Sequence, residues 1–261
     1  MADDTLALVD SLVKKIPELT SGQLHWINKV VSVFSSPNNY TLNSSDLFTE
    51  TTLRNFGDAM RVHHSFSVEP FSKDKFEYVL VHVLNMSGHK AKLAPKGNAG
   101  YDAMIDGVRL SLKTQADCNI KEGLLWVSKF MELGKGEWGN DPKHLEALRA
   151  QFLAHMKNYD RIISLRCLRK NPLWKYELVE MPKTLLSKAE QGQLQMMLNS
   201  KQHPKPGYCY VRENGVPLFE LYFDGGGERK LQIKNLNKKY CRVHAVWEFF
   251  IPPETGGFAL L

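Results

Sequence analysis

Apolar positions along this chain change spacing from helical to alternating near its middle, and that switch sets the expected architecture. Leu24, Ile27, Val30, Val31 and Phe34 recur at helical intervals behind Ser21, which is placed to cap the helix. The next stretch, SSPNNYTLNSSD, is rich in turn formers and predicts a loop, and a short helix is expected across DLFTETTLRNFGDAM. Residues 1–70 thus read as a helical part with a polar interruption. From Ser72 the pattern sharpens. SKDKFEYVLVHVLNMSG has a capping serine, apolar residues at Phe76, Val79, Leu80, Val83 and Leu84, and a terminating Gly88.

After the loop APKGNAG, the runs YDAMI and VRLSLKT are separated only by Asp106-Gly107, a strong hairpin signal. GLLWVSK reads as a possible third strand. NDPKHLEALRAQFLAHMKNYD predicts a helix with Asp141 as cap and Pro142 in its first position. RIISLRCL, KYELVE, YCYVREN and PLFELYF are strand-like, and the region 228–250 contains LQIKNL and VHAVWEFFI. Helices mixed with strands throughout predict one α/β (α+β) domain with a mixed sheet flanked by helices. It divides into a helical part (1–70), a core (72–167) ordered helix, hairpin, helix, strand, and a strand-rich part (168–261).

Composition narrows the class. The 261 residues are 43% hydrophobic and 24% charged, as in ordinary soluble proteins, and no apolar run is long enough to span a membrane. The acidic start MADDTLALVD lacks the order of a signal peptide, so a cytoplasmic protein is expected. Cys118, Cys167, Cys209 and Cys241 form no CxxC pair, which predicts reduced thiols and no zinc site. The net charge of +6 suits a polyanionic partner but does not require one. Its distribution says more: residues 228–242 hold Arg229, Lys230, Lys234, Lys238, Lys239 and Arg242 against the single acid Glu228.

The chemistry concentrates in GYDAMIDGVRLSLKTQ. Asp102 opens one strand of the hairpin and Lys113 lies in the other, and neighbouring strands are only about 5 Å apart. A carboxylate that holds a divalent cation, beside an ammonium that orients water or offsets charge on phosphorus, is what phosphodiester hydrolysis needs. His63-His64 point in different directions on a helix and make no ligand pair. DGGGERK lacks the spacing of a phosphate-binding loop, so no nucleotide cofactor is expected. Its glycines suit close approach of another chain or a phosphate.

This segment, with its helix–strands–helix–strand surroundings, resembles the PD-(D/E)xK nucleases. It departs at Ser111, where the family keeps an acid two residues before the lysine. A hydroxyl is a poor substitute on magnesium. Glu77, on the preceding helix, is the preferred source of the missing charge. Asp106, better suited to the turn, Gln115, which adds no charge, and Asp117, past the strand end, are the alternatives. The strings KFEYVL, NAGYDAMIDGVRLSLKT, WVSKFMELGKGEW, SKQHPKPGYCYV, YFDGGGERKLQIKNLN and VHAVWEFFIPP are similar to the SmaI-type Type II restriction endonucleases.

That resemblance implies a restriction-endonuclease-like core and Mg2+-dependent cutting of both strands of double-stranded DNA at a G/C palindrome, CCCGGG, by a homodimer. It implies catalytic Asp102, Lys113 and Glu77, with Asp102, Glu77 and Leu112 at the metal. An all-G·C site favours Lys or Arg against guanine and Asp or Glu against cytosine. The candidate DNA contacts are Lys135, Glu137, Lys201, Lys205, Arg229, Lys230 and Lys234. A structure-specific repair nuclease and a catalytically decayed DNA-binding protein are the rival readings.

Overall fold

In the computed structural model, which describes residues 2–252 apart from 96, 99, 118, 119 and 135–137, the Asp106-Gly107 hairpin is the organising element. Both turn residues adopt positive φ, 49° and 90°, as a two-residue hairpin with the right twist demands. Along the chain come α1 (Ala2–Lys15), α2 (Ser21–Phe34), β1 (Asn38–Leu42), α3 (Glu50–His64) and α4 (Lys73–Met86). β2 (Ala91–Leu93), β3 (Ala103–Ile105), β4 (Val108–Gln115), β5 (Leu124–Glu132), α5 (His144–His155) and β6 (Arg161–Arg169) follow. The remainder is β7 (Leu173–Glu180), α6 (Lys183–Leu186), β8 (Gln193–Met196), β9 (Gly207–Glu213), β10 (Val216–Asp224), β11 (Lys230–Asn237) and β12 (Arg242–Phe250).

The strands form two sheets. The larger has the order β1-β12-β7-β6-β4-β3-β2 and the smaller β5-β11-β10-β9-β8. Within the larger, β4 runs parallel to β6, with α5 in the chain between them, as a parallel pair requires. One face of this sheet is covered by α3 and α4, where Phe56, Met60, Phe76 and Leu80 cluster with Leu110, Leu112, Ile163 and Leu165. On the other, Ile162 and Val179 join Leu145 and Phe152 of α5 and Leu221, Leu231 and Ile233 of the smaller sheet. A strand covered on both faces has no solvent side. Leu110 and Leu112 of β4 lie in the first cluster, and the strand's alternation sends Ser111, Lys113 and Gln115 to the opposite face.

Several local expectations need correction. NNYTL lies inside the expected loop but forms β1, because β12 offers it a partner edge from Phe249 to Ala245. GLLWVSK is a strand but joins β11 in the smaller sheet instead of extending the hairpin, and AKL supplies β2 beside β3. The cap of α2 is Thr20, in a reciprocal pair with Gln23, and Ser21 is already helical. The helix expected from Pro142 begins at His144. Asp141 and Pro142 form the turn before it, accepting from the amides of Lys143 and Leu145 respectively.

The helical pattern of the N-terminal part is correct, but its apolar face is not buried within the chain. Leu24, Ile27, Val31 and Phe34 of α2 are exposed, as are Leu6, Leu8, Val9, Leu12 and Val13 of α1 and Ile16 just beyond it. No helix among the described residues is long and apolar enough to cross a membrane.

Candidate active site and DNA-facing cleft

Asp102 sits one residue before β3, tied to the hairpin by its own backbone: its N–H donates to Leu110 O at 2.8 Å, and its carbonyl accepts from Ala94 N. The carboxylate is held from three sides. Leu112 N donates to Oδ2 at 2.6 Å, Lys73 Nζ donates to Oδ1 at 2.8 Å, and the Ser111 hydroxyl reaches Oδ2 at 3.4 Å. Lys113 Nζ lies 4.0 Å from the same Oδ2. The hairpin therefore brings Asp102 and Lys113 together as the spacing predicts. α4 adds Glu77, whose Oε1 is 3.3 Å from the same Lys73 ammonium that Asp102 binds.

Burial and neighbouring charge shape these groups. Burial alone would raise the Asp102 carboxyl, but the Lys113 charge, the Lys73 hydrogen bond and the Leu112 amide together hold it below the usual range. Glu77 is pushed up, chiefly by burial, with Lys73 opposing and Asp102 adding repulsion. Lys113 is lowered to about 8, chiefly by burial against the partial compensation of Asp102. Its ammonium also lies 5.5 Å from the centre of the Phe130 ring on β5, so the smaller sheet walls the site.

The other candidates for the missing acid are engaged elsewhere. Asp106 is in the turn, bound to His89 Nδ1 at 2.7 Å and to the Lys90 amide, and Asp117 is exposed. Gln115 lies on the same face of β4 as Lys113, yet its Oε1 accepts from Arg166 Nε at 2.8 Å. Arg166 is fully buried, paired with buried Glu177, and donates to the carbonyls of Leu124 and Lys121. Lys238 joins the pair at 2.9 Å from Glu177. His63 and His64 are structural, as expected. His64 is buried, stacked on Trp174 and hydrogen-bonded to the Tyr176 hydroxyl.

Three residues near the site escaped the sequence reading. Lys73 precedes Glu77 by four residues in KDKFE, a spacing that signals a helical ion pair, though nothing in it points to Asp102. Tyr159 and His155 come from the end of α5 and the turn after it. The Tyr159 hydroxyl is buried with no partner among the described residues, and burial and the Asp102 charge push its pKa up. His155 is lowered by burial and by Lys113.

A cleft of about 580 Å3 at the end of the smaller sheet is lined by Glu132, Gln202, His203 and the loop from Gly225 to Arg229. The glycines do permit a close approach. A Cβ on Gly225 would lie 2.0 Å from the Pro204 carbonyl, so the GGG and HPKPG loops touch backbone to backbone. The Gln202 amide donates to Asp224, which also accepts from Gln232, while Gln202 Oε1 is buried without a partner among the described residues.

Arg229 lines this cleft. Lys201 is exposed, Lys205 donates to the Ser200 carbonyl, Lys230 pairs with Glu228, and Lys234 lies 3.9 Å from the centre of the Tyr222 ring. Lys135 and Glu137 lie outside the described residues. The basic run 228–242 is no single bare face, since Lys238 pairs with Glu177 and Arg242 with Asp46.

Comparison with known proteins decides what this arrangement belongs to. Residues 12–249 match the SmaI family, described as Type II site-specific deoxyribonuclease. The chain is also 45% identical over 228 residues to the Type II restriction enzyme SmaI of Serratia marcescens, covering 86% of this chain and 90% of that one. This chain belongs to the SmaI family. It is a Type II restriction endonuclease, an enzyme that cuts DNA at specific sites. Such enzymes generally use a divalent metal. The donor set fits one: two hard carboxylate oxygens converge on a single position, where the Lys73 ammonium now stands as a cation. No cluster of three or more acidic, histidine or cysteine ligands exists among the described residues, so backbone, water or DNA oxygens must complete any coordination.

The Arg166–Glu177 pair that this family member places behind Gln115 makes a stability prediction. Glu177→Ala leaves a guanidinium buried without its counter-charge, and unfolding in urea should show a loss of about 3–5 kcal/mol. Gln115→Ala, which removes only one neutral partner, should cost about 1–3 kcal/mol.

Proposed function

We propose that this restriction endonuclease cuts both strands of double-stranded DNA at CCCGGG, acting as a homodimer with Mg2+ held by Asp102 and Glu77. The observation that carries the reading is the convergence of two carboxylates on one cation, with buried Lys113 beside them. Leu112 contributes through its backbone: its side chain is in the core and its amide is committed to Asp102, which leaves the carbonyl. A divalent ion at this position would polarise the scissile phosphate and acidify a bound water.

The protein groups do the rest. Leu112 N and the Ser111 hydroxyl fix the Asp102 carboxylate in place, so Ser111 supports the acid instead of replacing one. Glu77 supplies the second negative charge. Lys113 faces the attacking water and offsets charge developing on the phosphate oxygens. The expected outcome is separable. Lys113→Ala should bind a CCCGGG duplex in Ca2+ near the wild-type affinity, Asp102→Asn should still bind it specifically though less tightly, and each should cleave it in Mg2+ orders of magnitude more slowly. Wild type should give discrete fragments from unmethylated plasmid, with ends mapping to CCCGGG. Smeared digestion excludes the sequence-specific reading, and undiminished cutting by Asp102→Asn excludes the catalytic one.

Base reading belongs to the cleft, with the Arg229 guanidinium, which has no ion-pair partner among the described residues, offered to guanine O6 and N7 as the matching acceptors. Arg229→Ala should cost about 1–3 kcal/mol and relax discrimination at one base pair in competition against single-base variants. An even loss across all sequences would reassign Arg229 to phosphate.

A palindrome calls for a two-fold pair of readers. The surface that fits is the uncovered apolar face of α1 and α2. Leu6, Val9, Val13 and Ile16 repeat at alternating three- and four-residue steps, the seam of a helix pair. A 14-residue helix without a packing partner is marginal in water. Leu24, Ile27, Val31 and Phe34 of α2 extend the exposed apolar surface, and a stable interface needs roughly 800 Å2 per partner. Leu6→Glu with Val13→Glu should convert a wild-type dimer to a folded monomer in sedimentation equilibrium. A monomeric wild type would refute the dimer itself, and a dimeric variant would move the interface elsewhere.

A further inference from the structure

Lys73 has no place in the proposed chemistry, yet it occupies the centre of the site. Its ammonium is 2.8 Å from Asp102 Oδ1 and 3.3 Å from Glu77 Oε1, the two acids assigned to the metal. Two consequences follow from that position. The ammonium offsets the repulsion between the carboxylates, a repulsion visible in the upward push of Asp102 on Glu77. It also fills the space between them, and a metal that ligates both oxygens at the short distances of a small divalent cation needs that space.

The three side chains differ in freedom. Asp102 is anchored by the Leu112 amide, and Lys113 is buried beside it. Lys73 stands at the first position of α4 with its side chain 44% exposed, on a flexible four-carbon stem, so it can swing out without moving the helix.

We infer that Lys73 is a tethered counter-charge that competes with the divalent metal for Asp102 and Glu77, and that DNA relieves the competition. A phosphate group entering the site gives the ammonium another anionic partner, so Lys73 leaves the carboxylates as the backbone arrives. Metal and DNA then bind with positive coupling, and linkage makes the coupling reciprocal. The free enzyme holds metal weakly, and the site loads when there is a phosphodiester to cut. This inference rests on Asp102 and Glu77 being the metal pair.

The test is calorimetric and needs no turnover. Ca2+ is titrated into wild type, Lys73→Met and Lys73→Arg, each alone and with a CCCGGG duplex. Without DNA, Lys73→Met should bind Ca2+ about tenfold more tightly than wild type, while Lys73→Arg, which keeps the charge, should stay close to wild type. The duplex should tighten Ca2+ binding by a larger factor in wild type than in Lys73→Met. Equal or weaker Ca2+ binding by DNA-free Lys73→Met overturns the inference: the lysine then organises the acids or merely decorates the helix. If no protein binds Ca2+ with or without duplex, the metal pair falls and the inference falls with it. If Asp102→Asn abolishes Ca2+ binding while Lys73→Met leaves it unchanged, the pair stands and only the competition fails.

Discussion

The parallel ladder between β4 and β6 is the constraint on which the rest of this molecule depends. It runs from Leu110–Arg161 to Gln115–Arg166 and places β4 between two apolar clusters, with Leu110 through Lys113 buried. Any polar side chain on that strand must therefore carry its partners with it. Lys113 has Asp102, delivered by the hairpin at a distance that only a two-residue turn would set. Gln115 has Arg166, and Arg166 in turn has Glu177 on the next strand. The buried polar line across the sheet is a consequence of one strand pairing and its alternation.

The same constraint sets matched numbers of acidic and basic groups at the site. Two carboxylates, Asp102 and Glu77, face two ammonium groups, Lys73 and Lys113. The two cations help hold the Asp102 carboxyl below its usual range, and Lys73 opposes the upward push that burial and Asp102 exert on Glu77. The balance is asymmetric in mobility: Lys113 is enclosed by Phe130 and the core, whereas Lys73 reaches solvent. The site thus pairs an enclosed cation with one that is open to solvent.

The proposed recognition cleft lies on the smaller sheet. The smaller sheet buries one face against α5 and the larger sheet, and its end carries the cleft between the GGG and HPKPG loops. β5, which packs across Lys113, pairs with β11, which leads directly from Arg229.

What could be read from the chain alone was whatever local chemistry dictates. Asp106-Gly107 admits little but a tight hairpin turn, so the juxtaposition of Asp102 and Lys113 was legible, and so was α4 from its cap to Gly88. The long shared strings identified the nuclease family without any geometry. Pairing between distant segments was not legible. The polar run NNYTL becomes a strand only because β12 supplies an edge some two hundred residues later, and GLLWVSK joins the second sheet because β11 is there. The four-residue step from Lys73 to Glu77 fits a helical ion pair, but the hold of Lys73 on Asp102 needs the hairpin folded over α4. The basic run 228–242 looked like one electropositive face until Glu177 and Asp46, remote in sequence, claimed two of its charges. Short-range sterics and turn chemistry act within a few residues and leave a mark in the sequence there. Which charge neutralises which depends on distances across the fold, and only the tertiary structure decides it.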